Sequence, residues 1–158
     1  MPSQRYLAER RCWGDDRQMN AEPHLRRASV ADADIAAEVY LRARHHAVPE
    51  IPPLVHSDDD VRQWMHIVLE EHEAWLACAD GGAPLGLMVL EGDWVGQLYV
   101  DPAWTGHGLG TRFLDLAKRR RPGGLQLWTF QSNVRAQRFY ERNGLGAARV
   151  KGVPELRN

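Results

Sequence analysis

Apolar residues recur along this chain with two periods, and the change from one to the other divides it. Val61, Trp64, Met65, Val68 and Leu69 fall at i, i+3, i+4, i+7 and i+8, one face of a helix. Ser57 ahead of Asp58, Asp59 and Asp60 gives that helix its start, a hydroxyl to cap it and carboxylates for the positive end of its dipole. An earlier run of good helix formers, from about Asp34 to His46, carries Ile35, Val39 and Leu41 and follows the helix-start residues Ser29 and Asp32. Between the two helices VPEIPPLVHS holds three prolines, so it reads as a stiff, extended loop. His24–Ala28 reads as a short first strand.

After His72 the period shortens. Ala74–Ala79 ends at the hairpin signal Asp80-Gly-Gly, Leu85–Leu90 follows, and Gly92-Asp93 separates it from Trp94–Val100. These three strands form an antiparallel meander. A glycine-rich loop, a helix from about Gly108 to Arg121, a stop at Pro122-Gly-Gly and a strand Leu125–Phe130 come next. The segment 94–130 then makes a right-handed parallel crossover in an otherwise mostly antiparallel sheet. A helix from about Val134 to Asn143 ends at Gly144, and Ala147–Lys151 reads as one last short strand. The expected fold is α/β of the α+β kind, a mixed, mostly antiparallel sheet flanked by helices. Residues 1–22, of mixed charge and without periodicity, read as an extension or lead-in, and 23–158 as one domain.

Composition narrows the class. The 158 residues carry 44% hydrophobic and 26% charged residues, globular proportions. No window approaches the roughly 18 apolar residues of a membrane span, and the start lacks the apolar stretch of a secretory signal. A formal net charge of −1 argues against a globally basic nucleic-acid binder. Cys12 and Cys78 are too few for a disulfide framework or a zinc site, and His, Asp and Glu show no ligand spacing, so no metal is expected. The reading is a cytoplasmic protein with no membrane or nucleic-acid partner and with a homodimer left open. The small net charge conceals an asymmetry: residues 1–104 hold 9 basic and 18 acidic residues, residues 105–158 hold 11 and 3.

The change of sign falls beside Thr105-Gly106-His107-Gly108-Leu109-Gly110-Thr111. Glycines at a strand end permit positive φ and close approach of a ligand to the backbone. Successive N–H groups at a helix start then offer donors and a positive dipole end to an anion such as phosphate. The loop lacks the Lys-Ser/Thr of a P-loop, and its GxGxG spacing differs from the GxGxxG of a dinucleotide fold. By itself the loop is a weak signal, with a tight turn without ligand as the alternative.

Two longer stretches decide between these. LYVDPAWTGHGLGTRFLDLAK resembles the central strand and pyrophosphate loop of the GNAT superfamily of acyl-CoA N-acyltransferases, with its signature [RQ]-x-x-G-x-[GA]. NVRAQRFYERNGL resembles that superfamily's second signature, N-x-x-A-x-x-F-Y-x-x-x-G-[FL], and IPPLVHSDDDV resembles one bacterial subgroup. The resemblance runs from Leu98 to Leu145, and the order of elements from residue 24 agrees with it. It implies an acetyl-CoA-dependent enzyme that acetylates a primary amine by direct attack in a ternary complex. It further implies that the N–H groups of His107 to Thr111 cradle the pyrophosphate and that the backbone of Leu98 and Val100 holds the pantetheine arm as an added strand. Asn133 then contacts that arm, or simply caps the helix that follows. Tyr140 becomes the general acid that protonates the leaving thiolate. Arg112 and the Lys118–Arg121 run meet outlying phosphates, or form a solvated helix end.

The chain departs from the pattern in three places. Thr105 stands where Arg or Gln is usual. Gly96 stands where the subgroup often carries an acidic residue near the amine, which leaves Glu91, Asp93, His56 or a held water as the base. The chain also ends soon after its last candidate strand, so the closing strand is missing or replaced by a partner or by the N-terminal extension. Residues 50–73 hold seven acidic residues against Arg62 alone, a rim that would draw a cationic amine to His56 and Asp93, or a merely solvated face. Trp64, Trp75 and Trp94 read as core, and Cys78 as buried and inert. A catalytically weak acyl-CoA sensor is the alternative function, and the amine itself is not legible.

Overall fold

The computed structural model describes residues 22–49 and 51–145. Strands β1 (His24–Arg27), β2 (Glu73–Cys78), β3 (Pro84–Glu91) and β4 (Trp94–Val100) form one antiparallel sheet in the order β1-β2-β3-β4. Helices α1 (Ala33–His46) and α2 (Asp58–Glu71) cover one face of it, α3 (Leu109–Arg120) covers the other, and α4 (Val134–Arg142) follows.

Local chemistry sets where these helices begin. Ser57 Oγ accepts from the Asp60 N–H at 3.1 Å, with three aspartates in the first turn of α2. Ahead of α1, the Arg26 guanidinium donates to both carboxylate oxygens of Asp32 at 3.0 and 2.8 Å, and the Ser29 N–H donates to the same side chain at 2.9 Å. The Arg26 bonds hold Asp32 below the ordinary carboxylate range, against the opposing effect of burial.

Strands β2 and β3 are buried on both faces, so their apolar runs are nearly continuous rather than alternating. Leu76, Leu87 and Val89 pack with Val39 of α1 and Met65 of α2, whereas Met88, Leu90 and Val95 pack with Leu109, Phe113 and Ala117 of α3. The β3–β4 register shifts by one residue: Val89 faces Gln97 and Leu90 faces Val95. Gly96 is therefore the extra residue of a β-bulge.

Leu125–Phe130, expected as a strand, pairs with β4 through one parallel bridge only, Trp94 with Gln126. The Val95 N–H donates to the Gln126 carbonyl and the Gln126 N–H to the Asp93 carbonyl, both at 2.8 Å, and the ladder stops there. Leu127, Thr129 and Phe130 are nevertheless buried. The strand-like pattern of this segment thus reports burial, and among the described residues its pairing with β4 is limited to the Gln126 bridge. The expected final strand at Ala147–Lys151, the closing end of the chain and residues 1–21 lie outside the described residues.

Candidate active site

The site is assembled where β4 ends. The N–H of the buried Asp101 donates to the Leu85 carbonyl at 2.8 Å, and its carboxylate accepts from Arg42 Nε at 2.8 Å and from the Ala103 N–H at 3.0 Å. The root of the following turn is thereby fixed to β3 and to α1. Thr105 donates its hydroxyl to the Pro102 carbonyl at 3.0 Å, and His107 rests on Trp104 with ring centroids 5.0 Å apart. Gly106 and Gly108 adopt φ of +81° and +82°, the left-handed region that a side chain disfavours. No atom lies within 4 Å of where their Cβ atoms would be, so the turn is open outward. Gly108 caps α3, and the first-turn N–H groups of Leu109, Gly110 and Thr111 have no carbonyl behind them within the helix. Donors and dipole therefore point at one exposed place, a fit for a polyphosphate.

Gly110 serves a different purpose. A Cβ there would lie 2.8 Å from the Phe139 ring, so its absence lets α4 press against the start of α3. Tyr140 follows, its ring 5.3 Å from that of Phe139 and packed among the residues beneath α3. Burial pushes the Tyr140 phenol above the ordinary tyrosine range and nearby Tyr99 raises it further, so the hydroxyl is protonated throughout the neutral range. Tyr99 in turn meets Tyr40 of α1 edge-on at 4.9 Å, and Tyr40 meets Trp64 of α2 at 5.3 Å.

Between bridge and turn, β4 has a partner on one side only among the described residues. Because the Asp101 N–H points toward β3, strand alternation turns the backbone groups of Val100 and Leu98 to the unpaired side. Asn133 Oδ1 accepts from the Ala136 N–H at 3.2 Å and so caps α4.

Among the residues considered as a base, Glu91 lies nearest the bulge. Its side chain occupies the space above Gly96, where a Cβ would come within 2.7 Å of the carboxyl carbon. His72 Nε2 lies 3.7 Å from its Oε1. Asp93 is committed elsewhere, since its carboxylate accepts from Gln126 Nε2 at 2.8 Å. His56 is exposed on the loop before α2 and makes no hydrogen bond to another described residue.

The basic run at the end of α3 is tied down rather than free. Arg120 Nε donates to Glu73 at 2.6 Å, Arg121 donates to the same carboxylate at 2.9 Å, and Trp75 Nε1 donates to it at 3.0 Å. Lys118 reaches the Asn143 carbonyl, and Arg112 reaches the Pro23 carbonyl. The acidic rim is also partly matched, with Arg62 bonded to Glu38 and Asp59 and with His45 3.3 Å from Asp58. The three tryptophans expected in the core are half-buried, and Trp75 lies between Arg27 and Arg120 at 5.8 and 5.7 Å. Cys78 is fully buried, and burial raises its thiol. Among the described residues no group of three or more His, Cys, Asp or Glu could hold a metal, and no helix is long and apolar enough to cross a membrane.

Two residues of this region escape a reading by motif, Arg42 with its bond to Asp101, and Arg44. Their signal lies in helical spacing: Ala33, Ala37, Tyr40 and Arg44 share one face of α1, and all four are buried.

Known proteins resemble this chain in sequence and in fold. The peptidyl-lysine N-acetyltransferase YjaB of Salmonella typhimurium is 33% identical over 88 residues, 56% of this chain and 60% of that protein, so the chain spans less than two thirds of that relative's length. The solution structure of apo-form YjaB from Escherichia coli superposes with a TM-score of 0.61 at 21% identity, over 78% of this chain and 82% of the other. The PaiA N-acetyltransferase of Thermoplasma acidophilum, solved in complex with coenzyme A, does so with a TM-score of 0.59 at 17% identity, over 78% and 89%. At these identities the likeness to solved structures is one of fold. The model of the Acetyltransferase (GNAT) family matches residues 39–145, from the middle of α1 through the glycine turn to the end of α4. The chain belongs to the GNAT acetyltransferase family.

Proposed function

We propose that this chain transfers the acetyl group of acetyl-CoA to a primary amine by direct attack, with both substrates bound together. One arrangement carries the reading: the unpaired edge of β4 runs directly into an open glycine turn at the head of α3, with the protonated phenol of Tyr140 packed beneath that helix. The coenzyme A complex of the Thermoplasma relative and the family membership support it.

In this reading the N–H groups from His107 to Thr111 hold the pyrophosphate, assisted by the α3 dipole. The Thr105 hydroxyl is spent on the Pro102 carbonyl, so anion binding rests on backbone donors. The backbone of Leu98 and Val100 pairs with the pantetheine amides as an added strand. Asn133 keeps its amide NH₂ for that arm while Oδ1 caps α4. Glu91, next to the bulge, accepts a proton from the incoming ammonium, and the free amine forms the new C–N bond. As the C–S bond breaks, Tyr140 donates its proton to the sulfur, and the second proton shed by the nitrogen as it becomes an amide restores the phenol. Cys78, fully buried, offers no covalent route. The acceptors include lysine side chains, for which the Salmonella relative is named, and the site of action is the cytoplasm.

The test is titration calorimetry with acetyl-CoA, followed by thiol release across an amine panel. Micromolar binding and turnover that collapses in Tyr140→Phe are expected. No detectable acetyl-CoA binding by folded protein would end the reading, and binding without turnover of any amine would make the chain an acyl-CoA sensor.

A further inference from the structure

Arg44 is a buried cation that no carboxylate among the described residues answers. Only 6% of its surface is exposed. Its one hydrogen bond to a described residue runs from Nη2 to the Pro52 carbonyl at 3.1 Å, and its Nε is buried without a hydrogen-bond partner among the described residues. The neighbouring arginines differ: Arg26 holds Asp32, Arg42 holds Asp101 and Arg62 holds Glu38. The guanidinium instead lies 5.5 Å from the Phe130 ring centre and 6.0 Å from that of Tyr40. Aromatic faces attract a cation but accept no N–H bond of ordinary strength. A buried cation in this state is costly unless an anion completes it.

Its place in the fold says which anion. Tyr40 and Arg44 lie one turn apart on α1. Tyr40 touches Tyr99 of β4, and Arg44 touches Phe130 at the end of the segment that has left the β4 ladder after Gln126. The pair therefore spans the unpaired edge of β4 from the α1–α2 face, the face opposite α3, and an acceptor entering from that face meets Arg44. We infer that Arg44 binds a carboxylate carried by the acceptor, so that the preferred amine is an amino acid or another aminocarboxylate. A guanidinium edge with a free N–H matches the two oxygens of a carboxylate. This rests on the acetyl-transfer reading for the identity of the site.

The test compares matched acceptors, lysine with cadaverine and phenylalanine with phenethylamine, beside a lysyl peptide blocked at its carboxyl end. Thiol release is measured with acetyl-CoA, and calorimetry follows each compound binding to protein saturated with coenzyme A. At least one amino acid should exceed its decarboxylated partner tenfold or more in kcat/KM. That preference should shrink to about onefold in Arg44→Met and survive in part in Arg44→Lys, with acetyl-CoA affinity unchanged in both. Equal or better use of the decarboxylated partners by the wild-type protein overturns the inference, whether or not Arg44→Met folds. So does a preference that persists in a folded Arg44→Met. If nothing turns over yet amino acids bind in an Arg44-dependent way, the transfer reading fails and the carboxylate site stands. If no aminocarboxylate binds or reacts, the site falls.

Discussion

The two ends of β4 are built on opposite terms. At the Trp94 end the polar groups of Gly92, Asp93 and Gln126 are bonded within the fold, and Glu91, the proposed base, is the exception beside the bulge. Asp93 holds Gln126 through backbone and side chain, and Arg121 donates to the Gly92 carbonyl at 2.6 Å while also gripping Glu73. Trp75 and Arg120 complete that carboxylate. At the Val100 end the donors face outward: the amides of the glycine turn, the strand edge itself, and the Arg44 Nε on the far side. A fold consumes the polar groups it needs for its own stability. Those left over, the donors at the Val100 end and Glu91 at the bulge, mark where it meets something else.

Perturbing each end separately tests that contrast. The largest effect is expected at the open end. Tyr140→Phe should lower kcat by about 10²–10⁴, a barrier rise of roughly 3–5 kcal/mol, while the melting temperature and acetyl-CoA affinity stay close to wild type. A variant that loses stability and activity together would place Tyr140 with the closed end instead.

Next comes Glu73. Burial alone would raise its carboxyl, but hydrogen bonds from Arg120, Trp75 and Arg121 outweigh burial and hold it at about 2. Its folded value lies below the unfolded one, so the stability it supplies is present above about pH 4 and lost as pH falls toward 2. Glu73→Gln should therefore cost up to about 3 kcal/mol at pH 7 and much less near pH 2. Urea unfolding at the two pH values checks this, and KM for acetyl-CoA should not move.

Gly108→Val, back at the open end, forces a branched side chain into the left-handed region at a cost of about 1–2 kcal/mol. Calorimetry should show acetyl-CoA binding weakened tenfold or more. Smallest is Asp93→Ala, which removes the 2.8 Å bond to Gln126. It should cost about 1 kcal/mol in thermal unfolding with kcat unchanged. A large fall in kcat would return Asp93 to the site.

Much of this was legible in the residues themselves. Ser57 and its aspartates announce α2, the Asp80-Gly-Gly and Gly92-Asp93 turns mark the meander, and the two glycine and asparagine motifs lie at the heads of α3 and α4. These features are local, and local chemistry decides them. The readings that fail concern partners distant in sequence. Leu125–Phe130 alternates like a strand, yet pairing depends on how β4 runs beside it. The Lys118–Arg121 run looks free until Glu73, 47 residues before Arg120, is folded against it. Gly96 looks like a missing carboxylate until the bulge brings the Glu91 side chain over it. Arg44, in a stretch of arginines and histidines at a helix end, looks solvated until the segment around Phe130 packs upon it.

The sheet has two edges, and they differ in how they treat strangers. The β1 edge is four residues long and carries Arg26 and Arg27, short and charged enough to discourage another strand. The β4 edge is seven residues long, carries no charge, and among the described residues pairs with Gln126 alone, at one end. Backbone in that condition is a template for any extended chain, including that of a second copy. A pantetheine arm lying along it would therefore act as a guard as well as a reactant. Light scattering should show particles growing in concentrated bare protein and staying uniform when coenzyme A is present. With that outcome, supply of coenzyme A would govern how much of this protein stays dispersed, independently of any acetylation.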